Sequence, residues 1–161
     1  MSGAVIEKSR RKEKSMATVK LKRLDEGAKT PTHGSVFAAG YDLYACLKED
    51  VMIAPHETKM ISTGWAMQPP TGYYIAIVAR SGLATKQGLR PANCYGACDE
   101  DYRGEVFVTL HNDSEVERVI HSGDRIAQMM LRHYTLCEFR EANELDTTKR
   151  GANGFGSTGS K

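Results

Sequence analysis

The sequence lacks every strong bias that would assign it quickly to a functional class. Its 161 residues carry a net charge of only +2, so no overall electric field favours nucleic acid or an anionic membrane. No apolar run is long enough to span a membrane, and no apolar core of a signal peptide follows Met1. We therefore expect one ordinary globular domain without a stable nucleic-acid or membrane partner.

Cysteine is also scarce, and its spacing does not indicate a metal centre. The four cysteines do not form the paired CxxC arrangement of a structural zinc site. Cys94 and Cys98 are close enough to share a metal, but no second pair and no HxxxH accompanies them. The default expectation is reduced thiols, as in a cytosolic compartment.

The chain divides by composition into a leader, a core and an arm. Residues 1–17 are charged and aperiodic, which predicts a disordered leader, with a basic arm, a targeting segment or an expression remnant as alternatives. Residues 18–140 carry the apolar patterning of a folded core, and residues 141–161 form a C-terminal arm. The arm ends in RGANGFGSTGSK, which is typical either of a flexible terminus or of a Gly-rich backbone that cradles phosphates.

Short β-prone segments dominate the core. They lie at residues 18–24, 51–53, 59–63, 65–67, 73–79, 106–110, 116–120 and 125–139. Turn residues such as Pro55 and Gly123 recur between them, which favours an all-β sandwich or barrel over βαβ units. Two segments stay open. Residues 124–131 fit a helix as well as a strand, and residues 81–88 predict a single helical turn capped by Ser81.

The stretch from Asn93 to Glu105 reads NCYGACDEDYRGE and sets three acidic residues between two glycines. The alternating run EVFVTL follows, so the pattern predicts a β-hairpin with a wide polar loop. Carboxylates on a turn have two common explanations. One is a solvated turn, and the other is a site in which one carboxylate serves as a general base.

Three further segments carry groups that suit phosphate or metal binding. Arg80-Ser81-Gly82 follows the most apolar strand at a predicted helix N-terminus, where anions are favoured. Gly40-Tyr41-Asp42 offers a carboxylate that can hold Mg²⁺ directly or through water. Each segment also has a structural explanation: a capped turn for the first and a bulged strand for the second. Gly123-Asp124-Arg125 fits a turn with a surface ion pair.

Taken together and in order, five segments closely resemble the motifs of the trimeric dUTPases (deoxyuridine triphosphate nucleotidohydrolases). They read AGYDLYA, ARSGLATKQGL, NCYGACDEDYRGE, GDRIAQMM and RGANGFGSTG. The resemblance runs from about residue 18 to the C-terminus. It implies a jelly-roll-like β-barrel in a homotrimer, with active sites at subunit boundaries and a Gly-rich C-terminal arm that closes over the nucleotide. A cytoplasmic location is implied, with the nucleus added if the source is eukaryotic.

The resemblance also implies a role for individual residues. Asp99 matches the carboxylate that activates water to attack the α-phosphorus of dUTP, releasing dUMP and pyrophosphate, and thus keeping dUTP low and supplying dUMP for dTTP synthesis. Mg²⁺ is the implied cofactor, with Asp42 in its water shell. The hairpin that reads uracil and deoxyribose is represented by Asn93, Gly96 and Tyr102. The implied phosphate and lid residues are Arg80, Ser81, Gly82, Gln128, Arg150, Phe155, Gly156, Ser157 and Thr158.

Two alternatives and two departures accompany this interpretation. The dCTP deaminases share the fold, and some bifunctional members also cleave a triphosphate; a non-enzymatic, nucleotide-binding regulatory protein is the other alternative. Ala79 replaces the proline that the family carries before Arg-Ser-Gly. Ala97-Cys98 replaces a Val-Ile-like pair before the catalytic carboxylate, which predicts softer packing of the hairpin. Within the hairpin loop, Glu100 is expected to face solvent and Asp101 to hold the turn.

Overall fold

The computed structural model describes residues 16–154, which form ten strands and one short helix. In chain order the elements are β1 (Lys20–Arg23), β2 (Tyr41–Tyr44), β3 (Val51–Ile53), β4 (Thr58–Gln68), β5 (Tyr73–Val78), α1 (Ser81–Gln87), β6 (Leu89–Pro91), β7 (Tyr95–Cys98), β8 (Glu105–Asn112), β9 (Arg118–Ile120) and β10 (Arg125–His133). No helix within the described part of the chain has the length and apolarity that crossing a bilayer requires.

The strands form two four-stranded antiparallel sheets and one small two-stranded sheet. The strand orders are β1-β4-β8-β6, β2-β10-β5-β7 and β3-β9. Apolar side chains from both larger sheets are buried in one core, including Ile61, Val108, Leu110, Leu43, Ile75 and Ile126. The prediction of an all-β sandwich is therefore confirmed.

Alternation along the strands explains which side chains enter the core. In β8, Val106, Val108 and Leu110 point inward and are buried, while Phe107 between them points outward. By contrast, Ile75, Ala76 and Ile77 of β5 are all buried, so both faces of this interior strand are covered.

The ambiguous segment at residues 124–131 is a strand. Residues of β10 pair with β2 on one side and with β5 on the other, so tertiary pairing decides between two patterns that the sequence permits. The predicted pieces at residues 59–63 and 65–67 form one strand, β4. Gly64, at φ +71, lies where the pairing between β4 and β8 is irregular.

Three predicted boundaries are wrong. The strand expected at residues 116–120 begins only at Arg118, and the one expected at 125–139 ends at His133. The helix at residues 81–88 is longer than a single turn, and Ser81 is not its cap. Arg80 occupies the N-cap position without a side-chain cap bond, since a guanidinium has no acceptor for the helix N–H groups; it donates to Asp42 instead. Gly88, at φ +70, ends the helix.

Candidate functional site

Strand β7 forms the first half of the acidic hairpin and is an edge strand of its sheet. It pairs with β5 from Val78–Tyr95 to Ile75–Cys98, and Asp99 follows the last paired residue directly. The Tyr102 backbone N–H donates to the Asp99 carbonyl at 3.2 Å and closes the turn. The Asp99 side chain is exposed at this turn, as a group that meets a ligand must be.

One cavity of about 300 Å³ brings four predicted hairpin residues together: Asn93, Gly96, Asp99 and Tyr102 all line it. Gly96 lies in the cavity wall where there is little room for a side chain. An added Cβ would lie 3.2 Å from Asn93 Nδ2 and 3.3 Å from Ile77 Cβ. The Tyr102 hydroxyl donates to the Glu105 carbonyl at 3.0 Å, which fixes the aromatic ring at the cavity. The cavity is therefore a flat slot with an aromatic wall and a carboxylate at its rim.

Sequence reasoning missed the apolar part of this cavity. Met60 and Phe107 line it and belong to the neighbouring strands β4 and β8. Their exposed fractions are 63% and 36%. Phe107 carried a usable signal, since it is an aromatic residue at an outward position of an alternating strand, where a polar residue is the usual choice.

The prediction for the two acids after Asp99 is wrong. Glu100 does not simply face solvent: its Oε2 accepts hydrogen bonds from the Gly72 backbone N–H at 2.7 Å and from the Tyr134 hydroxyl at 2.6 Å. The Tyr134 hydroxyl, followed by the Gly72 N–H, lowers the pKa of Glu100 below its usual value. Asp101 is exposed, so Glu100 rather than Asp101 holds the turn.

The two small residues before Asp99 have different surroundings. Ala97 is exposed, whereas Cys98 is buried beneath the hairpin with 8% of its surface exposed. Burial, together with the negative charge of Asp99, raises the pKa of the Cys98 thiol, which therefore stays protonated. Within residues 16–154 no group of three or more His, Cys, Asp or Glu side chains is placed to hold a metal.

A second polar cluster surrounds Asp42, which is only 4% exposed. Its Oδ1 accepts hydrogen bonds from Arg80 Nε at 2.9 Å and Gln128 Nε2 at 3.3 Å. Its Oδ2 accepts one from Arg125 Nη1 at 3.3 Å. The structure thus brings Arg80, Gln128 and Asp42 together as the sequence predicts. It also adds Arg125, whose ion pair is with Asp42 and not with the adjacent Asp124.

These contacts do not fit Asp42 as a direct ligand of a metal ion, whereas the water-mediated role that the resemblance implies stays a prediction. Both carboxylate oxygens already accept hydrogen bonds, and two of the three donors are guanidinium groups whose positive charge repels a divalent cation. Metal ligation by carboxylate needs free oxygen lone pairs in an acidic surrounding. The residues present therefore do not fit a Mg²⁺ ion bound directly by Asp42.

The remaining predicted residues are only partly described. Ser81 and Gly82 are exposed at the start of α1, and a Cβ added to Gly82 would meet no atom within 4 Å. Arg150 is exposed in a turn, where its Nε donates to the Asn153 carbonyl at 2.8 Å. The other arm residues predicted for the site lie outside the described residues, namely Phe155, Gly156, Ser157 and Thr158.

Comparison with known proteins gives this geometry its context. The family model described as dUTPase matches residues 26–159 of the chain. The chain belongs to the dUTPase family. The resemblance inferred from the five motifs is thereby confirmed.

Curated and solved dUTPases cover most of the same chain. The deoxyuridine 5'-triphosphate nucleotidohydrolase of Zymomonas mobilis is 45% identical over 143 residues, which cover 88% of this chain and 97% of the relative. The enzyme of the same name from Desulfotalea psychrophila is 45% identical over 137 residues, covering 85% and 91%. The Staphylococcus bacteriophage 80alpha dUTPase with dUPNHPP superposes with a TM-score of 0.77 at 26% identity, covering 88% of this chain and 98% of that chain.

In this dUTPase chain the two polar clusters lie at opposite ends of one strand pair. Asp99 follows the Ile75–Cys98 end of the β5–β7 ladder, while Arg80 follows the Val78–Tyr95 end. At about 3.4 Å per strand residue, the backbones of Asp99 and Arg80 are roughly 20 Å apart. They also line different cavities, since Arg80 faces a cavity of about 230 Å³ that Asp99 does not reach. A single chain does not bring the two clusters together.

The Asp42 cluster predicts a measurable stability cost. Asp42→Ala should lower the free energy of unfolding by about 2 kcal/mol, because it leaves the guanidinium groups of Arg80 and Arg125 without their counter-charge. Urea unfolding at fixed protein concentration measures the change. The matched control is Asp113→Ala, which removes the partner of Arg90 from a more exposed ion pair. An Asp42→Ala cost no larger than that of the control would contradict the role of Asp42 as the anchor of this cluster.

Proposed function

We propose that this chain is a dUTP diphosphatase, which hydrolyses dUTP to dUMP and pyrophosphate, keeps dUTP low and supplies dUMP for dTTP synthesis. The observation that supports it best is the hairpin cavity, where Asn93, Gly96 and Tyr102 share one surface with the exposed carboxylate of Asp99. The names of the curated relatives and the nucleotide bound to the bacteriophage enzyme agree with this substrate.

The free edge of β7 supplies a physical basis for choosing uracil. Because β7 pairs only with β5 among the strands of residues 16–154, its other edge offers backbone N–H and C=O groups that no neighbouring strand of this sheet pairs. Such groups match the lactam edge of uracil, whereas cytosine would leave buried donors and acceptors mismatched. In the proposal, Tyr102 packs against deoxyribose and excludes a 2′-hydroxyl.

In the proposed reaction, Asp99 takes a proton from a water molecule as that water attacks the α-phosphorus. The new P–O bond forms dUMP, and the bond to the β-phosphate oxygen breaks to release pyrophosphate. General-base assistance of this kind contributes roughly 10²- to 10⁴-fold. Arg80, Ser81, Gly82 and Gln128 hold the phosphates and offset their negative charge.

The cofactor Mg²⁺ would, in this proposal, come with the triphosphate rather than from a site held by the protein. Both carboxylate oxygens of Asp42 already accept hydrogen bonds, so they do not form a direct ligand set for the ion. No step of the proposed proton transfer or attack is assigned to the ion. The cytoplasmic location remains a proposal as well.

We also propose that the active site is shared between subunits of a homotrimer. The separation of Asp99 from Arg80 along the β5–β7 ladder supports a site to which one copy gives the hairpin and another the phosphate cluster. The chain beyond β10 supports it too. Leu136, Phe139 and Leu145 are 86–91% exposed there, as expected of a segment that packs on another subunit. The arm of residues 141–161 would close over the nucleotide.

The two alternatives are weaker. The comparisons favour dUTPases and give no support to a dCTP deaminase. A purely regulatory nucleotide-binding protein would not need an exposed carboxylate beside the hairpin cavity, and Asp99 is present there.

The first prediction of the proposed function concerns Asp99. Asp99→Asn should lower kcat for dUTP by roughly 10²-fold or more and leave nucleotide binding intact, because the amide cannot accept the proton of the attacking water. Pyrophosphate release measures kcat, and titration with a non-hydrolysable dUTP analogue measures binding. Asp101→Asn, which removes a neighbouring exposed carboxylate, is the matched control. Hydrolysis by Asp99→Asn at the parent rate would make the general-base assignment wrong.

The second prediction concerns the arm. Deleting residues 150–161 should leave the core folded and its oligomeric state unchanged, yet reduce kcat by about tenfold or more. The reason is that Arg150 and Phe155 are lost together with the segment that excludes water from the nucleotide. Size-exclusion chromatography with light scattering checks the assembly, and pyrophosphate release checks the activity. Full activity of the truncated chain would return the arm to the status of a flexible terminus.

A further inference from the structure

The hairpin tip that carries Asp99 is attached to the neighbouring strands through one carboxylate, that of Glu100. Its Oε2 accepts hydrogen bonds from the Gly72 N–H at 2.7 Å and from the Tyr134 hydroxyl at 2.6 Å. Gly72 lies in the turn just before β5, and Tyr134 directly follows β10. We call these three residues, Glu100, Gly72 and Tyr134, the clasp.

The clasp begins where the regular strand pairing stops. The β5–β7 ladder ends at Ile75–Cys98, so no ladder hydrogen bond holds Asp99 or the residues after it. The Asp99 carboxylate is exposed, and within residues 16–154 it accepts no hydrogen bond that would fix it. Its position therefore depends on the backbone of the hairpin tip, which has only the small side chains of Ala97 and Cys98 directly before it.

The clasp is itself held on rigid parts of the fold. The Gly72 carbonyl accepts a hydrogen bond from the Tyr134 N–H at 3.2 Å, so the two anchors of Glu100 are bonded to each other. Next to them, the rings of Tyr73 and His133 pack with their centroids 3.8 Å apart. On the hairpin side, Arg103 Nη1 donates to the Glu100 carbonyl at 2.6 Å. Glu100 is thus fixed through both its backbone and its side chain.

We propose that Glu100 and Tyr134 are positioning residues that hold Asp99 at the geometry needed for attack on the α-phosphorus. The proposal rests on the proposed function, in which Asp99 is the general base. Glu100 acts by accepting hydrogen bonds and not by its charge. A loosened hairpin tip would still admit the nucleotide but would place the carboxylate poorly for the water, so the loss falls on kcat rather than KM.

Four variants test the clasp by dUTP hydrolysis. Glu100→Ala removes both bonds and should lower kcat roughly tenfold or more, while Tyr134→Phe removes one bond and should lower it roughly threefold to tenfold. KM should stay within about twofold. Glu100→Gln keeps an amide oxygen that can accept both hydrogen bonds, so it should retain most of the parent kcat. Combining Glu100→Ala with Tyr134→Phe should cost no more than Glu100→Ala alone, since both remove one unit.

Several outcomes would overturn the clasp. One is a kcat equal to that of the parent in both Glu100→Ala and Tyr134→Phe, and another is an effect of these variants on KM alone. A third is a kcat of Glu100→Gln as low as that of Glu100→Ala, which would show that the charge of Glu100 matters rather than its hydrogen bonds. The matched control is Glu115→Ala, which removes another hydrogen-bonded carboxylate from the surface and should leave kcat within about twofold. Thermal unfolding of each variant shows that it is folded.

Amide hydrogen exchange separates the failure of the clasp from the failure of the proposed function. A parent protein that does not hydrolyse dUTP would refute the proposed function, whatever the variants do. Exchange in residues 98–102 should nevertheless be faster in Glu100→Ala and Tyr134→Phe than in the parent and in Glu100→Gln. Equal exchange in all four proteins would overturn the clasp itself.

Discussion

Backbone hydrogen bonds between β5 and β7 hold the acidic hairpin against a buried strand and leave the other edge of β7 free. The rest of the site depends on this pairing. It brings Gly96 against Ile77 and ends at Cys98, so that Asp99 emerges at the first position beyond the ladder. The same antiparallel register sends Arg80 to the opposite end. This strand pair therefore determines which edge of the hairpin is open to a ligand. In the proposed site, it is also the reason why a second copy supplies the phosphate cluster.

The carboxylates of the two polar clusters lie in different environments. Asp42 is buried, and its charge is tolerated because two guanidinium groups and an amide surround it. Asp99 is exposed, which suits a group that must meet water and substrate, but exposure also leaves its position to the backbone. Preorganisation of such a group has to come from its neighbours in the hairpin. Glu100 provides two such contacts, from the Gly72 N–H and the Tyr134 hydroxyl.

Local patterns were sufficient to predict the β architecture and the hairpin, because alternation and turn chemistry act over a few residues. The grouping of Asn93, Gly96, Asp99 and Tyr102 also followed from one continuous stretch. The ion pair between Asp42 and Arg125 did not, since the residues are 83 positions apart and meet only when β2 pairs with β10. Glu100 was misjudged for the same reason: Tyr134 lies 34 positions away. In both cases the partner is distant in sequence and only the folded chain brings it into contact.

In the proposed function this chain selects dUTP and cleaves it between the α- and β-phosphates. Both properties can be measured together by pyrophosphate release from equal concentrations of dUTP, dCTP, dTTP and UTP, with ammonia measured in parallel. We expect dUTP to be hydrolysed at least about 10²-fold faster than the other nucleotides, because a mismatch of buried polar groups is costly, and dCTP to yield no ammonia. Ammonia from dCTP, or similar rates with all four nucleotides, would contradict it.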